Sequence, residues 1–337
     1  MIKNNLFTYD LEFDIAQINL EQRTEKDNAL DIIYEHVKDI DHAHISLSGG
    51  VDSQFWVRVC EHFNIPYTAT TYLTTWQGAP INTDDYVCAE MTAKKYNSDW
   101  NVIEIDIEKF LKSDDLVRIA KTYKTDSQQI CLHLYYLEQV ANNTSTFLLG
   151  GDAMYLEEAD GKPEVSMMQE DVIRTGMPYY NFFNSKGIKY IKDVAYLDKK
   201  MPTIMLDYNL QYIKDHKKHL STEFNAGSNF QNERLAVKSY IWESILPGSI
   251  NTLIKVGGFE RLKKYMAMQS GIYNQFDVSF RTPLKNLMQA DPKLLTQNKR
   301  MRLIYRNKDI LENYKIRFAK AIKDNDSLPI RQYLFDF

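Results

Sequence analysis

A pair of glycines between a strand-like and a helix-like segment is the feature that most constrains this fold. The apolar, β-prone lead-in of Ile45 and Leu47 stops at Gly49-Gly50, and an amphipathic run follows over residues 54–62. Paired glycines let the backbone turn sharply and approach a ligand closely. The N–H groups of such a turn, together with the positive end of the next helix, favour an anion. The sequence therefore predicts a strand, a phosphate-binding loop and a helix.

Oxygen-bearing side chains surround the glycine pair. Ser48 and Ser53 can donate from their hydroxyls, and Asp52 can bind a metal ion carried by a polyphosphate. The loop is not a Walker A motif, because the chain contains no G-x-x-x-x-G-K-S/T. The predicted nucleotide-binding residues here are Ser46, Ser48, Gly49, Gly50, Val51, Asp52 and Ser53.

Residues 48–53 read Ser-Gly-Gly-Val-Asp-Ser, which resembles the SGGxDS signature of the PP-loop, or N-type, ATP pyrophosphatase superfamily. The resemblance implies an adenine nucleotide alpha-hydrolase-like fold and the cofactors ATP and Mg²⁺. It also implies cleavage of ATP between the α and β phosphates, adenylation of a substrate oxygen and release of pyrophosphate. In this superfamily the adenine usually bonds to the backbone of the second strand, which is residues 67–72 here.

Strand-like and helix-like segments alternate through the first half of the chain. Predicted strands cover 42–47, 67–72, 101–106 and 146–149, and predicted helices cover 54–62, 84–96 and 127–140. This alternation predicts an α/β fold with a doubly wound parallel sheet. In such a sheet, ligands bind at the carboxyl ends of the strands.

The same patterns divide the chain into three regions. Residues 1–40 are predicted to hold a strand (6–14) and a helix that opens at 24–27. Residues 41–160 form the predicted PP-loop core, and 161–337 a mostly helical C-terminal region that binds substrate or caps the sheet. Residues 158–170 are predicted to be a loop.

A second acidic turn follows the fourth predicted strand at Gly150-Gly151-Asp152. Residues 148–153 resemble the acidic turn of the asparagine synthetase branch, G-D/E-G-A-D-E, although only Asp152 is acidic here. Asp152 either helps Asp52 to hold Mg²⁺ on the pyrophosphate or caps the next helix. Gly151 joins Asp152 in the predicted nucleotide-binding set.

Two downstream cations extend the resemblance. Residues 276–284, which include Arg281, are similar to the E-V/A-R-x-P-F/L segment of asparagine synthetase-like domains, and Lys299 precedes a Leu/Arg-rich stretch as in the family's G-K-x-x-L-R. The family's lysine compensates negative charge during adenylation. Lys299 and Arg281 therefore join Asp52 as predicted catalytic residues; the alternative is that both are ordinary surface cations.

The composition of the chain limits which classes of protein remain possible. The 337 residues carry a net charge of −4 and 44% apolar residues, which is typical of a soluble globular protein with no general affinity for nucleic acid. The three cysteines form no C-x-x-C, which argues against structural zinc and paired-thiol chemistry. An odd cysteine count, no apolar leader and no long apolar run lead us to expect a cytoplasmic protein without a membrane segment.

Together these features predict an AMP-forming ligase or amidotransferase of asparagine synthetase type. It would adenylate a carboxylate or carbonyl oxygen of a small-molecule acceptor and then transfer nitrogen. We see no glutaminase domain, so the expected nitrogen source is free ammonia, a substrate amine or a partner protein. Two alternatives stay open: an adenylating enzyme that modifies a nucleobase, DNA or tRNA by nitrogen or sulfur transfer, and a degenerate ATP-binding regulatory subunit.

Overall fold

The computed structural model describes residues 17–123, 125, 128–150, 153–159, 161–166, 169–221, 231–251 and 304–330. The first part of the chain contains β1 (Gln17–Asn19), α1 (Ala29–Val37), β2 (Ala43–Ser46), α2 (Val51–Phe63), β3 (Tyr67–Trp76), β4 (Ala79–Pro80), α3 (Thr83–Tyr96) and β5 (Asp99–Asp106). Next come α4 (Ile107–Lys112), α5 (Asp115–Tyr123), α6 (Gln128–Val140), β6 (Thr146–Leu148), β7 (Tyr155–Ala159), β8 (Lys162–Ser166) and α7 (Gln169–Lys186). The last elements are β9 (Tyr190–Ile191), α8 (Met201–His216), β10 (Lys218–Ser221), α9 (Gln231–Ile245), β11 (Ile304–Arg306), α10 (Lys308–Asp324) and β12 (Leu328–Ile330).

The main sheet is parallel, as the sequence predicts. Its described strands lie in the order β9-β6-β2-β3-β5, and the short β4 pairs antiparallel with the end of β3. Ala43 at the start of β2 pairs with Tyr67 of β3 on one side and Thr146 of β6 on the other. Because these three strands start in register, the loops that follow β2 and β6 leave the same edge of the sheet.

Helices cover both faces of this sheet, which makes it doubly wound. On one face Ile45 packs in a core with residues of α1, α2, α3, α8 and α9. On the other face Phe147 packs in a second core with residues of α4, α5, α6 and α7. Alternate residues of a strand point to opposite faces, so β6 contributes Leu148 to the first core and Phe147 to the second, and His44 of β2 stacks on Phe147.

Local capping decides where several helices begin and end. Asn28 caps α1 by accepting the N–H of Leu30, so that helix starts just after the predicted opening at 24–27. Thr24 donates its N–H to Asp27 Oδ2 before the helix begins. Asn64 and Asn97 end α2 and α3 in the left-handed conformation, which asparagine tolerates better than most residues.

The prediction of a loop over 158–170 is wrong. β7 and β8 form an antiparallel hairpin, in which Leu156 pairs with Val165, and α7 begins at Gln169. Gly161 supplies a φ of +72° at the turn between the strands. The Asp160-Gly161 pair in the sequence is a common signal for such a hairpin.

The hairpin belongs to a second sheet with the described order β12-β10-β7-β8. The C-terminal region is therefore helical in α7, α8, α9 and α10, as predicted, but it also contributes strands to this sheet. The predicted strand at 6–14 lies outside the described residues. Across the part of the chain that the structure describes, no helix is long and apolar enough to cross a membrane.

Candidate active site

The loop after β2 is shaped by Gly49. Its φ is +70°, and a Cβ built there would lie 2.5 Å from Cys88 Cβ and 2.8 Å from the backbone nitrogen of Ala89. Both the backbone angle and the contact with α3 therefore require glycine. Gly50 has more space, because its nearest neighbour would be Ser48 Oγ at 3.3 Å.

Hydrogen bonds between neighbouring residues fix the rest of the loop. Ser53 Oγ donates to the Gly50 carbonyl at 2.9 Å and accepts the N–H of Ser48 at 3.3 Å. Gln54 closes the first helical turn by donating its backbone N–H to the same carbonyl at 3.1 Å. The first turn of any helix directs N–H groups outward without intrahelical acceptors, so this rigid loop is suited to hold an anion. Val51 is buried in the core and could serve a ligand only through its backbone.

Asp52 lies in the first turn of α2 and faces α9. Its Oδ2 is 2.8 Å from Lys238 Nζ, and its Oδ1 accepts a 2.8 Å hydrogen bond from Trp242 Nε1. Lys238 and Trp242 are four residues apart, so one face of α9 supplies both contacts. The Lys238 side chain is 12% exposed and that of Asp52 is 24% exposed. The signature carboxylate is thus paired with a cation in a partly buried setting.

Further contacts dock α9 and the residues after it on α2. The ring of Trp242 stacks on that of Phe55 with centroids 4.5 Å apart. Asn251 donates its N–H to Gln54 Oε1 at 2.8 Å, and Gln54 Nε2 donates to the Gly49 carbonyl at 2.8 Å. The loop after β2 and the residues 231–251 are therefore connected through Gln54 as well as through Asp52.

The turn after β6 reaches the same place. A Cβ built on Gly150 would lie 3.1 Å from Asp52 Cβ, and Trp56 Nε1 donates to the Leu149 carbonyl at 2.6 Å. The predicted neighbours Gly151 and Asp152 lie outside the described residues, as do Arg281 and Lys299. The structure therefore brings the loops after β2 and β6 together at Asp52.

A buried aromatic cluster adjoins Ser46, the last residue of β2. Ser46 Oγ is 3.1 Å from His133 Nε2, and Tyr179 hydrogen-bonds to His133 Nδ1. The imidazole stacks on Tyr136 at 5.5 Å between centroids. Burial lowers the pKa of His133 to about 4, so the ring is neutral at neutral pH. This neutral imidazole holds the Ser46 hydroxyl at the edge of the sheet where the loop begins.

The donor chemistry at Asp52 fits Mg²⁺ carried by a nucleotide. The carboxylate already accepts a cation at Oδ2, and hydroxyls of Ser48 and Ser53 lie in the same loop. Magnesium needs only one or two carboxylates when substrate phosphates and waters supply its other ligands. Within the described ranges no group of three or more His, Cys, Asp or Glu side chains could hold a metal by itself.

A separate cavity of about 610 Å³ lies at the other end of the strands. Its lining includes His42, His44, Thr68 and Thr144, which belong to the starts of β2, β3 and β6 or precede them. His44 Nε2 is 2.7 Å from Thr70 Oγ1, and burial lowers the pKa of His44 to about 4. These contacts stabilise the strands and form no part of the candidate active site.

No protein-family model and no curated protein matches this chain. Among solved structures, the NH3-dependent NAD synthetase from Campylobacter jejuni is 14% identical over 90% of this chain and 96% of its own, with a TM-score of 0.29. A tRNA thiolase from Methanococcus maripaludis is 13% identical over 77% and 78% of the two chains, with a TM-score of 0.32. A predicted tRNA methyltransferase subunit from Methanocaldococcus jannaschii is 22% identical, covers 45% of this chain and 66% of its own, and has a TM-score of 0.26. These scores carry no argument about function.

Sequence reasoning missed several of these residues. Lys238 and Trp242 carry no motif, and their role follows only from the docking of α9 on α2. His133 is a single histidine on an apolar helix face, a pattern that indicates a core position rather than a site. Gly150 was visible in the sequence as part of the second turn, but its approach to Asp52 was not.

Proposed function

We propose that this protein is an ATP pyrophosphatase of the PP-loop type that adenylates a substrate oxygen. The observation that supports this most is the position of Asp52. It lies in the first turn of α2, directly after the glycine loop at the carboxyl end of β2, and against the turn that follows β6. This is the crevice where open parallel sheets bind ligands.

The proposed reaction is an in-line displacement at the α-phosphorus. An acceptor oxygen forms the new P–O bond while the bond to the oxygen bridging the α and β phosphates breaks, and pyrophosphate leaves with that electron pair. The N–H groups at the start of α2 and the hydroxyl of Ser48 hold the leaving phosphates, while the Ser53 hydroxyl, which donates to the Gly50 carbonyl, fixes the loop around them. Mg²⁺, which Asp52 would bind, would neutralise phosphate charge.

The finer proposal is nitrogen transfer, as in asparagine synthetase-like enzymes. A nitrogen nucleophile attacks the carbon of the adenylated acceptor, the C–O bond to AMP breaks, and the nitrogen loses a proton. The acceptor is a small molecule with a carboxylate or carbonyl oxygen, and the donor is ammonia, a substrate amine or a partner's ammonia. The resemblance at residues 148–153 and 276–284 supports this proposal.

The test is to incubate the protein with ATP labelled at the α-phosphate, Mg²⁺, ammonium and a fractionated small-molecule extract. We expect labelled AMP and an equal amount of pyrophosphate, with the active fraction leading to the acceptor. Asp52→Asn should lower the rate by about 10²- to 10³-fold, the usual effect of removing one preorganised electrostatic group.

Asp31→Asn is the matched control, because Asp31 occupies the first turn of α1 as Asp52 occupies that of α2. It should leave the rate unchanged. Label found in ADP instead of AMP, or an Asp52→Asn protein that is as active as wild type, would contradict the proposal. ATP binding with no turnover in any fraction would point to a regulatory ATP-binding protein instead.

A further inference from the structure

Among the residues that the structure describes, Lys238 is a cation in contact with the carboxylate of Asp52. Its Nζ is 2.8 Å from Asp52 Oδ2, and the side chain is 12% exposed. The contact lies at the start of α2, where the helix dipole and outward N–H groups favour negative charge. The ammonium of Lys238 is therefore held beside the first turn of α2, next to the loop that is proposed to bind an anion.

Lysine differs from other cations in ways that suit this position. Its ammonium is a compact charge on a flexible four-carbon stem with three donors. The stem can carry the ammonium from one set of anionic oxygens to another nearby without moving α9. Polyphosphate in the loop would offer such a second set of oxygens.

Contacts other than the ion pair also dock α9 and the residues that follow it on α2. Trp242 stacks on Phe55, Asn251 bonds to Gln54, and Arg58 Nε donates to the Pro247 carbonyl at 3.2 Å. Replacing a buried ion pair by two well-packed apolar side chains often leaves stability unchanged or increases it, so docking alone does not require this pair. The charge at Lys238 is therefore better explained by a ligand than by packing.

We propose that Lys238 is a nucleotide-phosphate ligand, which Asp52 positions and which shifts from that carboxylate to the phosphate oxygens when ATP binds. The inference rests on the proposed function, because it requires ATP to occupy the loop. The sequence suggested Lys299 as the cation that compensates phosphate charge, and this inference gives that role to Lys238 of α9. It also makes Asp52 and Lys238 a coupled pair rather than two independent ligands.

The test is calorimetric titration of ATP in EDTA, and of a non-hydrolysable ATP analogue with Mg²⁺. The proteins are wild type, Lys238→Gln, Asp52→Asn and the double variant. Lys200→Gln is the matched control, because Lys200 Nζ also lies 2.7 Å from an aspartate, Asp27. A urea unfolding curve for each protein separates folding from binding.

In both titrations, Lys238→Gln should weaken nucleotide binding by about 10- to 100-fold, the range expected for a lost charge-assisted hydrogen bond. In EDTA, Asp52→Asn should bind ATP more tightly than wild type, because one negative charge is removed and Lys238 is released to the phosphates. The double variant should lose that gain. Lys200→Gln should bind as wild type does.

Equal ATP affinity in Asp52→Asn and the double variant would overturn the inference, since Lys238 would then act only through Asp52. A lower unfolding midpoint for Lys238→Gln with unchanged affinity would also overturn it and assign a structural role. If wild type and Lys238→Gln bind the Mg²⁺–nucleotide equally well, this inference is refuted but the proposed function is not. Wild type that binds no nucleotide at all would refute both.

Discussion

At the scale of single residues, the loop depends most on Gly49. Any other residue here would lose stability for two reasons. Its backbone would be left-handed, and its Cβ would overlap Cys88 and Ala89 of α3. The sequence indicated a sharp turn at this glycine, because paired glycines are typical of such loops. It could not indicate which neighbour lies against the turn, because α3 follows in the chain only after β3 and β4.

We predict that Gly49→Ala lowers the free energy of unfolding by about 2–5 kcal/mol, from backbone strain and overpacking together. Gly78→Ala is the control, because Gly78 has a similar φ of +80° and nothing within 4 Å of the added Cβ. It should cost only about 1–2 kcal/mol, the strain of the left-handed backbone. Urea unfolding of both variants measures the difference. Equal losses would show that contact with α3 adds nothing.

At the scale of elements, α9 completes the site. It carries Lys238 and Trp242 to Asp52 although about 190 residues separate these positions in sequence. Trp242 is 1% exposed and joins the core with its ring while its N–H bonds the carboxylate. The helix therefore contributes both packing and polar contacts to the loop.

Trp242→Phe separates these two contributions, because phenylalanine keeps an aromatic ring and lacks the N–H. We expect a loss of about 1.5–3 kcal/mol in unfolding free energy, the range for a hydrogen bond to a charged group. Trp100→Phe is the matched variant, since Trp100 Nε1 donates to the neutral Thr71 Oγ1 at 2.9 Å. Its loss should be about 0.5–1.5 kcal/mol. A smaller loss for Trp242→Phe than for Trp100→Phe would contradict the importance of the Asp52 contact.

At the scale of the whole molecule, two buried imidazoles connect stability to pH. Burial lowers the pKa of both His44 and His133 from 6.5 to about 4. Between these values the unfolded chain binds protons that the folded protein does not. Stability should therefore be complete above about pH 6.5 and should decrease as pH falls toward 4, by at most about 3 kcal/mol for each ring.

Urea unfolding at pH 7, 6 and 5 tests this expectation. The decrease in unfolding free energy from pH 7 to 5 should be smaller in His133→Asn than in wild type, even though the variant is less stable at pH 7. His62→Asn, which removes an exposed imidazole, gives the reference for losing a histidine at the surface. An unchanged pH dependence in His133→Asn would show that this ring does not titrate as described.

The sequence by itself determined the loop and the sheet. Glycine pairs, strand-like alternation and helix-like periodicity act over a few neighbouring residues, so they could be recognised without knowing the fold. They correctly predicted β2, α2, β3, α3, β5 and β6, and the parallel arrangement that places the loop at a carboxyl edge. The hairpin of β7 and β8 is also a local feature, because an Asp-Gly pair is a short-range signal for its turn.

Only the tertiary structure decided which distant side chains meet at Asp52. Lys238 and Trp242 have no local pattern that distinguishes them from other residues of an amphipathic helix. Their role depends on how α9 packs on α2, which is set by shape and burial over the whole core rather than by neighbours in sequence. The same holds for Ser46 of β2 and His133 of α6. They are far apart in sequence and meet only because α6 packs on the sheet. Short-range patterns therefore identified the loop, whereas long-range packing selected the side chains around it.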